Sequence, residues 1–174
     1  MKVFIRLVLM GGLLCVALIP SSVRGEFPFL GNPLVGQAAA DFTLKTLQGP
    51  LVNMTQFRDN KSAIIFFWAT WCPHCRAALK ELDKQSEQIE KSGIKLILVD
   101  VGESAKEVSA YVAKNHIDLT VFLDEDSSLG DPYAIIGVPT FVLVDQEGMV
   151  RSVEHALPDN YKDILLTKKN PTTP

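Results

Sequence analysis

The chain has 174 residues, 47% of them apolar and 21% charged. That balance excludes wholesale disorder, and the length suffices for one domain with a proper core. The formal charge is −3, from 17 basic and 20 acidic residues, with no basic patch or aromatic-basic interleaving, so no nucleic-acid partner is expected.

The first 25 residues differ from the rest. Lys2 and Arg6 form a short basic start, Leu7 to Ile19 is an uncharged and mostly apolar stretch, and Pro20 ends it. This is the layout of a secretory signal over residues 1–25, with Val23 and Gly25 as small-residue positions before a cut ahead of Glu26. The apolar stretch falls short of the ~20 residues that span a bilayer as a helix, which favours cleavage over an uncleaved anchor. Cys15 invites a lipidation reading, but Leu14 precedes it where a small side chain is wanted. The expected location is therefore extracytoplasmic or periplasmic, with membrane contact only if the N-terminal segment is retained. Removing Lys2, Arg6 and Arg24 leaves 14 basic residues against 20 acidic ones, a formal charge of −6. Removing Cys15 leaves Cys72 and Cys75 alone, too few for a structural disulfide framework.

Residues 26–35 read as a linker holding Pro28, Gly31 and Pro33, followed by one domain over 36–168 and a loose tail over 169–174. Ala40 to Leu44 begins a strand, Gln48-Gly49-Pro50 turns it, and Leu51 to Asn53 pairs back as a hairpin. Met54 to Arg58 is a single helical turn. Ala63 to Trp68 is a continuous apolar run, as expected of a central strand covered on both faces. Pro73 to Ser92 predicts a long helix with Ala77, Leu79, Leu82, Ser86 and Ile89 near one face, stopped by Gly93.

Ile94 to Val101 predicts another buried strand, and Ser104 to Asn115 a helix with Val108, Tyr111 and Val112 at helical spacing. Thr120 to Leu123 is a further strand, and Ser127 to Ile135 a short helix or turn. Thr140 to Val144 and Met149 to Val153 flank Asp145-Gln146-Glu147-Gly148 as a hairpin. Pro158 to Lys168 closes with a helix. The order implies an α/β fold with a mixed, mostly parallel sheet and helices on both faces.

The chemistry concentrates in Trp71-Cys72-Pro73-His74-Cys75, directly after the apolar strand. Two thiols lie one helical turn apart, so one sulfur can attack an outside disulfide while the other resolves the mixed intermediate. A strand running into C-x-x-C at a helix start reads as a thioredoxin-like redox site. Cys72 is expected as the nucleophile, because unpaired N–H groups and the helix dipole stabilise a thiolate at a helix start. Pro73 suits the first turn, where its missing N–H costs nothing. Cys75 is expected to be more buried and to act as the resolving thiol.

The sequence resembles the TlpA/ResA-like branch of the thioredoxin superfamily over about residues 36 to 167. The resemblance rests on Ala40-Asp41-Phe42-Thr43-Leu44 and its hairpin, on Phe67 to Arg76 around the two cysteines, and on Tyr133 to Phe141, which contains Gly137-Val138-Pro139-Thr140. It implies a thioredoxin-like fold with an N-terminal hairpin and a central insertion. It also implies exchange of disulfides with protein thiols or disulfides, an upstream redox partner, and a cis peptide at Val138-Pro139 beside the dithiol. No organic cofactor is expected, the redox group being the Cys72–Cys75 disulfide.

Two departures matter. Many relatives carry a glutamate three residues after the second cysteine, where this chain has Ala78. Thioredoxins proper have a buried aspartate six residues before the first cysteine, where this chain has Phe66. No general base is thus evident, since Glu81 on the same helix reads as solvated.

His74 is expected to favour the Cys72 thiolate by hydrogen bonding or charge. The Cys-Pro-His-Cys tetrad and Val138 before the proline resemble the strongly oxidising DsbA proteins, so the potential is expected to be less reducing than thioredoxin's about −270 mV. Direction stays open: reductase by the branch resembled, oxidase by the tetrad. A Cu(I) chaperone using both thiolates and a histidine is a further reading, whereas zinc lacks a second cysteine pair. Trp68 and Trp71 read as packing residues, Trp71 also shielding Cys72. His116 and His155 read as surface residues, and Asp124-Glu125-Asp126 as a solvated loop. Peroxiredoxins share the Asp41-Phe42-Thr43-Leu44 style of opening, but their Pro-x-x-x-Thr-x-x-Cys pattern does not occur.

Overall fold

The computed structural model describes residues 32–167. The expected signal over 1–25, most of the linker and the tail lie outside the described residues. Within them the order is β1 (Thr43–Thr46), β2 (Leu51–Asn53), α1 (Met54–Arg58), β3 (Ser62–Trp68), α2 (Pro73–Lys91), β4 (Ile94–Val101), α3 (Ala105–Asn115), β5 (Val121–Asp124), β6 (Thr140–Val144), β7 (Val150–Glu154) and α4 (Tyr161–Leu166).

The strands form one sheet in the order β2-β1-β5-β4-β3-β6-β7. β3 runs parallel to β4, and β4 to β5, while the other four pairings are antiparallel. The sheet is mixed as expected, but it is not mostly parallel. The N-terminal hairpin joins one edge through β5 and the C-terminal hairpin the other through β3, and each adds reversed strands to a short parallel centre.

Every residue of β3 is buried. The pleat sends Ile64, Phe66 and Trp68 to one face and Ala63, Ile65 and Phe67 to the other, seeding two apolar clusters. The first cluster takes α2, α3 and α4 through Leu79, Leu82, Ile89, Val108, Tyr161 and Leu165. The second is covered by the short α1 through Met54 and Phe57, and by Phe42, Leu129 and Tyr133. Helices thus lie on both faces, but unequally. Residues 127–135 form turns rather than a helix, and their apolar side chains still close that second face.

The chain joins the domain slightly before residue 36. Leu34 packs against the second cluster, Gly36 N–H donates to Val150 O, and Val150 N–H to Gln37 O.

Candidate active site

β3 delivers the chain to the dithiol at the carboxyl end of a central strand, where open α/β sheets place their sites. Cys72 is the N-cap of α2, Pro73 follows in the first turn, and Cys72 Sγ accepts from Cys75 N–H at 3.2 Å. Cys72 and Cys75 are joined as a disulfide with Cα atoms 5.2 Å apart. Cys75 leads the buried stripe Cys75-Leu79-Leu82-Ile89 of α2, which explains its complete burial. Ala77, expected on that stripe, is exposed, because it sits two positions off the heptad-like spacing. Cys72 keeps 4% of its surface and Cys75 none.

Val138-Pro139 is cis. The Cys72 sulfur lies 3.6 Å from the Val138 carbonyl oxygen, an acceptor for the thiol once the disulfide is reduced. Thr140 Oγ1 donates to Gly137 O at 2.7 Å, and a His155 ring nitrogen lies 2.9 Å from Pro139 O, so both flanks of the proline are tied down. His155 is exposed as expected, but it belongs to this loop's support. His116 is the left-handed C-cap of α3 (φ 55°).

Two expectations about tryptophan separate. Trp68 is fully buried, but Trp71 is 66% exposed and is not a packing residue; with Ile136 at 93%, it leaves apolar surface next to the dithiol. His74 is exposed, and no hydrogen bond joins its ring to either sulfur among the described residues. Its ring lines a groove of about 440 Å³ with Leu82, Pro139, Phe141, His155 and Leu157. Any action on Cys72 is therefore by charge. Glu81, on the groove's rim, is held ionised by hydrogen bonds from Gln85 and Lys84.

Phe66 and Ala78 leave the usual carboxylate positions apolar, with Phe66 stacked on Phe141 at 4.5 Å between ring centroids. The structure nonetheless holds two carboxylates that sequence reasoning missed. Asp100, near the end of β4, is fully buried, and neither of its oxygens has a hydrogen-bond partner. Burial first, and the neighbouring Glu103 next, push its pKa up to about 8. Glu103 accepts from both the N–H and the Oγ–H of Thr70, tethering the segment that leads into Cys72. The available clue was an acid closing the apolar run Leu96 to Val99. Asp124 also departs from expectation: it is buried on β5 and accepts from Ser128 Oγ and Leu129 N–H, which orders the turn after it. Among the described residues, no three His, Cys, Asp or Glu side chains gather to hold a metal ion.

A mixed sheet flanked by helices, with a C-x-x-C disulfide on a helix start beside a cis-proline, defines a thioredoxin-like thiol–disulfide oxidoreductase. The chain belongs to the AhpC/TSA family, whose profile matches residues 35–153. The thiol-disulfide oxidoreductase ResA of Geobacillus thermodenitrificans is 27% identical over 119 residues, 68% of either chain. Among solved structures, a thiol:disulfide interchange protein DsbE from Chlorobium tepidum superposes with TM-score 0.66 at 22% identity, covering 75% of this chain and 92% of that one. The peroxidoxin BcpB from Mycobacterium tuberculosis gives TM-score 0.64 at 14% identity, covering 74% and 91%. These two structural likenesses speak for the fold alone, which serves more than one thiol chemistry.

Proposed function

We propose that this protein is an extracytoplasmic reductase of protein disulfides, with Cys72 as the attacking sulfur and Cys75 as the resolving one. The observation that carries the reading is the asymmetry of the two sulfurs. Cys72 Sγ sits on the helix N-terminus against the Val138 carbonyl, while Cys75 is sealed one turn deeper. In the reduced enzyme the Cys75 N–H and the α2 dipole stabilise the Cys72 thiolate. That thiolate attacks one sulfur of the substrate disulfide, forming a mixed disulfide and expelling the other substrate sulfur as thiolate. Cys75 then attacks Cys72 Sγ, releasing the reduced substrate and closing the Cys72–Cys75 bond. An upstream dithiol partner returns the electron pair.

Val138 and Pro139 offer backbone to an extended substrate segment beside Cys72. Exposed Trp71 and Ile136 supply apolar contact, a composition that suits polypeptide partners. Reductive direction is supported by the resemblance to the ResA-like branch, which implies reductase chemistry. Export is supported by the signal layout of residues 1–25.

A second reading, a thiol oxidase, is favoured by one feature, the Cys-Pro-His-Cys tetrad. Trapping with Cys75→Ala tests the exchange itself: protein partners should accumulate as mixed disulfides on Cys72, and an empty trap in the native compartment overturns it. The state of the trapped partners' other cysteines, together with insulin reduction, tests the direction. A potential close to DsbA's about −120 mV with no insulin reduction would replace reductase by oxidase.

A further inference from the structure

Opening the enzyme disulfide leaves a charge in an awkward place. When a thiolate attacks Cys72 Sγ, the Sγ–Sγ bond breaks and its electron pair goes to Cys75 Sγ, which has no solvent-exposed surface. A thiolate expelled into an apolar cluster is costly unless a proton arrives with it. Phe66 and Ala78 carry none.

Asp100 lies on the same side of the sheet as that sulfur. Along β4, Leu96 and Leu98 face the cluster that holds Cys75, while Ile97 and Val99 face the opposite one, so the pleat directs Asp100 to the Cys75 side. Asp100 pairs in register with Trp68 on β3 and Leu123 on β5, both members of that cluster. It is fully buried, and both carboxyl oxygens lack partners. Trp68 Nε1, on the adjacent strand, is likewise unpartnered. A buried acid without a well-formed hydrogen bond is costly to the fold and calls for an explanation.

We propose that Asp100 is the proton reservoir for the buried sulfur of Cys75. The carboxylic acid gives its proton to Cys75 Sγ as the partner's sulfur bonds to Cys72 Sγ, and is left as carboxylate. In the reverse step the carboxylate takes the proton back as Cys75 attacks the mixed disulfide. Charge and atoms balance with the partner thiolate as the only other reactant. The burial that raises the Asp100 pKa to about 8 keeps the acid protonated in the oxidised enzyme at neutral pH. Other ionisable groups around it are Glu103 after β4 and Glu107 on α3, which both hold its proton on. Arg76 on α2 acts on Tyr111 of α3, and β5 presents Leu123.

The inference rests on disulfide exchange at Cys72–Cys75 and not on its net direction. Its test is the rate at which dithiothreitol reduces the oxidised full-length protein, followed by stopped-flow tryptophan fluorescence from pH 5 to 9.5. Wild type and Asp100→Asn are compared at each pH, so the reagent's own ionisation cancels. The variant should be slower on the order of 10²-fold below pH 7, with the ratio closing to about one above pH 9. Asp100→Glu, which keeps an ionisable proton, should recover part of the rate. A ratio that is unity, or that stays constant across the range, overturns the proposal, since a purely structural role has no reason to vanish with the proton. If Asp100→Asn does not fold, the wild-type profile decides alone: corrected for thiolate reagent, its rate must fall through an inflection near the Asp100 pKa, and a flat profile overturns the proposal. Failure of the exchange chemistry would look different, because the wild type itself would resist reduction at every pH.

Discussion

Cys72 and Cys75 are three positions apart at the start of one helix, yet they hold different places on it. One caps a helix and receives an N–H at 3.2 Å; the other heads a buried apolar stripe. The tetrad's third residue, His74, touches neither through a hydrogen bond and faces a groove walled by Leu82, Phe141 and Leu157. Any effect it has on the couple must then be Coulombic: positive charge near the helix start would favour the Cys72 thiolate, and with it the reduced form. At an exposed site such an interaction is worth at most about 1 kcal/mol. For a two-electron couple that is roughly 20 mV. His74→Ser should therefore make the potential more negative by about that amount at pH 6, measured against glutathione buffers. An unchanged potential would remove His74 from the redox argument and leave the helix terminus as the main tuning element.

At the scale of elements, the approach to the dithiol is held from a distance. The loop after β4 sends Glu103 back to the Thr70 N–H and hydroxyl, and the next residue, Ser104, opens α3 with a capping box to Glu107. Thr70→Val removes one hydrogen bond to a charged acceptor and leaves both carboxylates in place. It should cost about 1.5–3 kcal/mol in urea unfolding, and a loss under 0.5 kcal/mol would show that Thr70 N–H alone carries the tether. Such links explain which parts were readable in advance. β4 was legible to the residue, and α2 to within one, because Pro73, the apolar period and Gly93 at φ 81° are local marks. The dithiol was legible for the same reason. The sheet's sense was not, since alternating strands and helices look alike whether an edge strand arrives parallel or reversed. Glu103, Asp100 and Asp124 were missed because their roles come from contacts across strands and loops. The cis bond at Val138 came only through family resemblance, there being no local force that selects it.

Across the whole molecule, three ionisable groups give stability three separate pH windows. Burial nudges Asp41 up, but hydrogen bonds from Asn53 at 2.7 Å and Thr55 at 2.9 Å outweigh it and hold the carboxyl below its ordinary 3.8. Its contribution is present above that value and lost as pH falls through the lowered one. Tyr133, buried and donating to Ala40 O, has its pKa raised by burial and then by the charge of Asp41. Its contribution is full below pH 10, where the unfolded phenol starts to ionise, and declines above. Asp100 controls the range between. Folding raises its pKa from 3.8 to about 8, so the unfolded chain ionises first, and the native state binds one more proton throughout that interval. Stability then falls as pH rises, by about 1.4 kcal/mol per pH unit, and levels off above the folded pKa. The wild-type oxidised protein should accordingly have a higher urea midpoint at pH 5 than at pH 8. Asp100→Asn, which keeps the shape and cannot ionise, should abolish most of that difference and be the more stable protein at pH 8. A wild-type midpoint that does not fall between these pH values would mean that Asp100 is ionised in the native state. A stability cost carried at neutral pH by one buried acid on the sheet face that packs Cys75 is the pattern expected where a site, rather than the fold, determines the residue.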